Sequence, residues 1–99
     1  MKIKDLKKGD IAYQVFDNGV LQTLHCVKCS LFTKLDNKYE IIFSIDNYKG
    51  IKEFYQDGNE NYIMLENSNI FLNKEDAIDE LECYITSCKE SINQLLNDK

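Results

Sequence analysis

The histidine and the four cysteines of this 99-residue chain are the first candidates for a metal site or a nucleophilic pair: His25, Cys26, Cys29, Cys83 and Cys88. Two cysteine pairs supply enough thiolates for one zinc ion. The segment 21–32 contains no Gly, Asn or Asp to form a tight turn. In a regular strand Cys26 and Cys29 therefore point to opposite faces, roughly 10 Å apart. On a helix, Cys83 falls about 140° away from Cys88. We predict no metal site and no cofactor, and a zinc-stabilised adaptor is the less favoured alternative.

The same residues do not form a pattern typical of an enzyme. His25 and Cys26 are adjacent and project to opposite faces of a strand, and His25 and Cys29 lie about 13 Å apart along it. A proton-transferring pair needs a separation of about 3 Å. The four glycines are spread one per turn, so the chain has no phosphate-binding glycine loop. We predict no catalytic residues and a protein that is not an enzyme.

Aromatic and acidic residues favour a binding surface instead. Tyr48, Tyr55 and Tyr62 lie in or beside predicted turns, and aromatic side chains with a polar tip are frequent at interfaces. Residues 51–99 carry eleven acids against four Lys, a charge of −7 within a chain whose net charge is −5. The predicted partner-binding residues are Glu53, Phe54, Tyr55, Asp79 and Glu82.

Composition restricts the class of partner. All twelve cationic residues are Lys, and Arg supplies the forked contacts used to recognise bases and phosphates. We therefore expect no direct binding of nucleic acid. A host protein is the expected partner. A host protein that binds nucleic acid has a basic surface, which would attract these acids.

No apolar run approaches the roughly 18 residues of a membrane span, and the charged start MKIKDLKKGD lacks a signal-peptide core. We expect no membrane association, a cytoplasmic protein and reduced cysteines.

Hydrophobic periodicity predicts the elements that position these residues. Alternation predicts five strands, and Asn18-Gly19 is typical of a hairpin turn. A further turn is predicted at 46–50. Apolar residues three and four apart, with Asn73 before them, predict a helix over about 74–96. The chain is expected to be a single domain, 1–99, with strands over about 11–72.

The apolar stripe of the helix allows two interpretations. The favoured one is that the helix covers the sheet through Ile78, Leu81, Ile85 and Ile92. The stripe also fits three heptads. The alternative is therefore that part of the stripe packs against a second copy as a dimer seam, which would give a homo-oligomer formed through the C-terminal helix.

Two segments resemble known families. The opening DLKKGDIAYQVF (5–16) resembles the first turn and strand of SH3-like barrels. The segment IFLNKEDAIDEL (70–81) is similar to one in small, mostly uncharacterised proteins of phages and mobile elements of low-GC Gram-positive bacteria. The matching residues are Phe71, Leu72, Asn73, Glu75, Asp76 and Ala77.

With the strand pattern, the first resemblance implies an α+β fold. The expected form is a small antiparallel SH3-like barrel or curled five-stranded sheet, followed by one long C-terminal helix. The second resemblance implies an accessory protein of a mobile element. The expected function is a non-catalytic binding protein that inhibits a host defence or regulatory factor through an acidic surface. A sponge for a small nucleotide signal, with Tyr stacking on the base and Lys on the phosphate, is the alternative.

Overall fold

The described part of this chain forms six antiparallel strands and one long helix. The computed structural model describes residues 1–45 and 50–97. The predicted turn residues 46–49, including Tyr48, lie outside the described residues. A short 3-10 turn, Ile3–Asp5, precedes the strands. The elements are β1 (Ile11–Phe16), β2 (Leu21–Thr33), β3 (Lys38–Ile45), β4 (Ile51–Asp57), β5 (Tyr62–Met64), β6 (Ser68–Phe71) and α1 (Lys74–Asn97).

The strands form one sheet in the order β4-β3-β2-β1-β6-β5, which bends into a nearly closed barrel. The predicted α+β class, a small antiparallel barrel followed by one C-terminal helix, is confirmed. The sheet has one strand more than the five predicted, because 68–71 pairs with both β1 and β5. The Asn18-Gly19 hairpin also forms. Gly19 has a φ of 81° and donates its N–H to the carbonyl of Phe16 over 2.9 Å.

The N-terminal 3-10 turn is tied to the segment that joins the two edge strands. The N–H groups of Ile3 and Lys4 donate to the carbonyls of Glu60 and Gly58 over 2.8 and 3.0 Å. Ile3 is fully buried and belongs to the main core. A side chain at Gly58 would lie 2.5 Å from the ring of Tyr39, so glycine permits this close approach. These contacts bring the ends of the open sheet together.

The core fills the inside of the barrel. Its largest fully buried side chains include Leu24, Ile41, Phe43 and Ile70, from three different strands. In β3 and β6 the buried positions alternate with less buried ones, as a sheet with one buried face requires. The alternation predicted for the third strand therefore holds: Ile41 and Phe43 are buried, and Ile42 between them is not.

A polar cluster lies on the inward face at one end of the barrel. Gln14, only 2% exposed, donates an amide N–H to Ser68 Oγ over 2.8 Å. Lys52 Nζ donates to the side-chain oxygens of Gln14 and Gln22 over 2.8 and 3.3 Å. The same ammonium lies 5.5 Å from the centre of the Phe16 ring. Burial lowers the pKa of Lys52. These hydrogen bonds compensate for the burial of the polar groups inside the barrel.

The helix contacts β1 and β6 on the outer face of the barrel. Val15 points outward from β1, opposite Leu21 and Asn69, yet it is only 1% exposed. Val15 and Ala77 are buried but lie outside the main core. We conclude that the first turns of the helix cover a second, smaller apolar contact around these two residues.

The favoured prediction for the helix stripe is wrong for three of its four residues. Ile78, Ile85 and Ile92 are 43%, 54% and 56% exposed, and only Leu81 is half-buried. The helix has 24 residues and is therefore about 36 Å long, whereas the whole molecule measures 58 × 31 × 21 Å. Because its second half extends beyond the strands, no element of the described chain buries the stripe there.

Candidate binding surfaces

The predicted geometry of Cys26 and Cys29 is wrong. The pairing of β2 with β3 shifts register between Cys26 and Lys28, which is a β-bulge. Cys26 is paired with Phe43 and Cys29 with Ile41, and both partners point into the core. The extra residue therefore turns both thiols to the inside of the barrel. Cys26 is buried, and Cys29 Sγ–H donates to the carbonyl of Ile3 over 3.2 Å.

Cys83 and Cys88 are exposed on the helix, which packs outside the barrel. The barrel wall thus separates them from Cys26 and Cys29, and this arrangement does not bring four thiolates to one ion. In residues 1–45 and 50–97, no group of three or more His, Cys, Asp or Glu side chains is placed to hold a metal. His25 is half-buried on β2, opposite Ile11 and Ser44.

The inward thiols are poor nucleophiles. Burial raises the pKa of Cys29 to about 11, and the neighbouring Cys26 adds to the shift. Burial, followed by the charge of Asp10, also raises the pKa of Cys26. The thiolate is the reactive form of cysteine, so both side chains act as small apolar residues near neutral pH.

An aromatic–acidic patch lies on the outer face of β2, β3 and β4. We define it as Phe32, Glu40, Glu53 and Tyr55. The Tyr55 hydroxyl donates to Glu53 Oε1 over 2.7 Å and lies 3.3 Å from Glu40 Oε2. The Phe32 and Tyr55 rings are 4.8 Å apart with a 58° tilt, and the two residues are 59% and 48% exposed. The patch therefore presents two rings and the carboxylate of Glu53 to solvent, whereas the Glu40 side chain is only 19% exposed.

Hydrogen bonds fix the charges in this patch. Lys28 Nζ donates to Glu40 Oε1 over 3.1 Å, and this bond is the largest cause of the lowered pKa of Glu40. The bond to Glu53 is the largest cause of the raised pKa of Tyr55, which reaches about 12. The carboxylate of Glu40 is thus ionised and Tyr55 is neutral at physiological pH. The patch is preorganised, since its polar groups hold one another in place.

Two of the five predicted partner-binding residues, Glu53 and Tyr55, lie in the aromatic–acidic patch. Phe54, between them on β4, points inward, and its ring centre lies 6.2 Å from that of Phe43. We therefore assign Phe54 to the core and leave it out of the binding surface. Sequence reasoning missed Phe32 and Glu40. The pairing of Glu40 with Tyr55 could have been found by aligning the two alternating strands across their turn.

Asp79 and Glu82, the other two predicted residues, are exposed on the helix. Asp79 borders an acidic groove of about 290 Å³, lined by Asn61, Tyr62, Phe71, Asp76, Asp79, Glu80 and Cys83. The helix contacts β1, and three strand spacings, about 14 Å along the sheet, separate β1 from β4. The predicted acidic surface is thus divided into two regions.

The nucleotide alternative needs a tyrosine beside a lysine. Tyr62 instead shares its groove with three carboxylates, which repel a phosphate. Tyr55 is bonded to two carboxylates. Lys52 already donates to two glutamines inside the barrel. None of these described residues favours a phosphate site, and Tyr48 lies outside the described residues.

Comparisons of the chain with protein-family models, with curated proteins and with solved structures give no match. Conclusions about function therefore depend on the geometry of these surfaces. Within the described part of the chain, no helix is long and apolar enough to cross a membrane.

Proposed function

We propose that this protein is a non-catalytic binding protein that occupies a basic surface of another protein through the aromatic–acidic patch. The observation that carries the proposal is the hydroxyl of Tyr55, which holds Glu53 and Glu40 beside the exposed ring of Phe32. Interfaces typically combine a few rigid aromatic anchors with charged groups at their margin.

The chemistry of the patch supports binding rather than catalysis. Its hydrogen bonds join a phenol of raised pKa to two carboxylates, and a phenol in this state is a weak nucleophile. Carboxylates held in one orientation can meet Lys or Arg of a partner without first being ordered. The acids of the helix, with Asp79 and Glu82 exposed, provide a second acidic region within a chain of net charge −5.

The similarity of 70–81 to phage and mobile-element proteins supports an accessory protein whose target is a host defence or regulatory factor. A host protein that binds nucleic acid has the basic surface that this target needs, and the carboxylates would take the place of the phosphates there. The proposal places the protein in the cytoplasm, where its four free thiols would stay reduced.

Affinity capture from a bacterial lysate with matched variants tests this function. The full chain should retain a basic protein, and Glu53→Lys combined with Tyr55→Ala should lose it. Glu66→Lys is the control for charge, because Glu66 is exposed in the β5–β6 turn, away from the patch. Asp79→Lys combined with Glu82→Lys tests the helix acids separately. Retention of the same proteins by all variants would contradict the proposal.

A further inference from the structure

The exposed half of the helix has the pattern of a dimer seam. We infer that a second copy of this chain covers it, forming a parallel, in-register coiled coil through Ile85, Cys88, Ile92 and Leu95. We call these four residues the seam. Leu95 is 73% exposed, and Ile85 and Ile92 are both more than half exposed in the single chain. This inference is independent of the aromatic–acidic patch and goes beyond the proposed function.

The spacing of the stripe identifies the kind of partner. Ile78, Ile85 and Ile92 recur every seven residues, and Leu81, Cys88 and Leu95 follow each of them by three. A strict seven-residue repeat keeps one seam facing a second helix, whereas a helix on a sheet needs only a broader apolar face. β-Branched Ile at the first seam position with Leu at the second favours two parallel strands. The stripe is complementary to itself, as a two-fold dimer requires.

The exposure of the side chains in the single chain distinguishes the seam from the part of the helix that packs on the barrel. The barrel side of the helix is marked by buried Ala77 and half-buried Leu81 and Tyr84, and Tyr84 donates to Asp17 of the β1–β2 turn. Beyond Tyr84 every described helix residue is exposed. The seam begins there, beside an apolar groove of about 470 Å³ lined by Asn18, Gly19, Leu81, Tyr84, Ile85, Cys88, Lys89 and Ile92.

Charge distribution allows two copies to approach along this segment. Residues 85–97 contain one cation and one anion, Lys89 and Glu90, and are therefore neutral. Residues 74–97 contain six acids, and the five other than Glu90 all lie at or before Glu82. In a protein of net charge −5, the neutral half of the helix is the part where self-repulsion is smallest.

The exposed area of the seam fits a weak dimer. The exposed parts of Ile85, Ile92 and Leu95 amount to on the order of 350 Å² per chain, comparable with the main apolar patch of a typical monomer. Two copies would cover on the order of 700 Å² from these three residues, the size of a contact that dissociates on dilution.

Sedimentation of the full chain under reducing conditions tests the dimer. The wild-type protein should sediment as a dimer that dissociates on dilution. Ile92→Lys should raise the dissociation constant by at least about 100-fold, because each chain would place an unpaired ammonium in the seam. Gln94→Lys adds the same charge on the opposite face of the helix and should leave the dimer intact. A monomeric wild-type chain, or an Ile92→Lys variant that still dimerises, would overturn the inference. Since Ile92 is exposed in the single chain, both variants should keep the same circular dichroism.

Cross-linking tests the orientation. In a parallel, in-register dimer, Cys88 faces its own copy across the seam, whereas Cys83 lies on the outside of the helix. Under a mild oxidant the Cys83→Ser chain should form disulfide-linked dimers at least about tenfold faster than the Cys88→Ser chain. Equal rates, or a dimer that never cross-links through Cys88, would overturn the parallel seam.

Discussion

At the residue scale, the two cysteine pairs differ in environment despite their similar appearance in the sequence. The bulge at Cys26–Lys28 turns Cys26 and Cys29 inward, where burial raises the pKa of both thiols. No residue type signals this bulge, since 21–32 contains neither Gly nor Asn. The inward placement of Cys29 therefore could not be predicted from alternation alone, which places the two thiols on opposite faces.

Thiol alkylation should distinguish the inward and outward cysteines. In the folded Cys88→Ser chain at mildly alkaline pH, Cys83 should react with iodoacetamide at least about tenfold faster than Cys26 or Cys29. The reason is that Cys83 is exposed, whereas the two inward thiols are shielded and remain protonated. Peptide mass spectrometry gives the three rates, and the unfolded chain is the control in which they should converge. Similar rates in the folded chain would contradict the inward placement.

The titration of Tyr55 should report its bond to Glu53. An unperturbed Tyr has a pKa near 10, and that of Tyr55 is raised to about 12, chiefly by this bond. Because the folded state holds the proton more tightly, this contribution to stability is fully present below about pH 10 and is lost between about pH 10 and 12. The ultraviolet titration curve of the wild type, after subtraction of the curve of Tyr55→Phe, should show this late ionisation. Glu53→Gln should move its midpoint to lower pH. An unchanged midpoint in Glu53→Gln would exclude the bond.

At the element scale, the sequence predicts where a turn or a helix forms, but it does not predict what packs against the apolar face of the helix. Asn18-Gly19 specifies its hairpin because Gly19 tolerates the positive φ, 81°, that this turn requires. The helix begins at Lys74, directly after Asn73. The stripe from Ile78 to Leu95 predicts the helix but does not say what covers it. The same spacing suits a sheet or a second helix, and only the burial in the folded chain separates them.

Matched valine substitutions should locate the contact between helix and barrel. Val15→Ala should lower the free energy of unfolding by about 1–3 kcal/mol, because Val15 is 1% exposed on the barrel face that carries the helix. Val20→Ala makes the same change at a residue that is 52% exposed and should stay within about 0.5 kcal/mol of wild type. Denaturant unfolding gives both values. Equal effects would mean that the helix does not cover β1.

At the scale of the whole molecule, the surfaces lie on opposite parts of the fold. The aromatic–acidic patch is on β2, β3 and β4, whereas the helix packs on β1 and β6 and presents its seam beyond the barrel. Charge and aromatic content favoured a binding surface as the interpretation of the sequence. They did not place Glu53 and Asp79 in separate regions, because that separation depends on the strand order. A dimer formed through the seam would carry two copies of the patch, and two linked copies raise the apparent affinity for a target with two sites.

The association rate of the captured partner, measured over a range of salt concentrations, tests the central claim most directly. With wild type the rate constant should fall steeply as salt rises, because opposite charges steer the encounter. Glu40→Gln combined with Glu53→Gln should slow association at low salt by about tenfold and flatten the salt dependence. Glu66→Gln, the exposed control, should change neither. A partner that associates with the patch variant as fast as with wild type, and with the same salt dependence, would contradict binding through this patch.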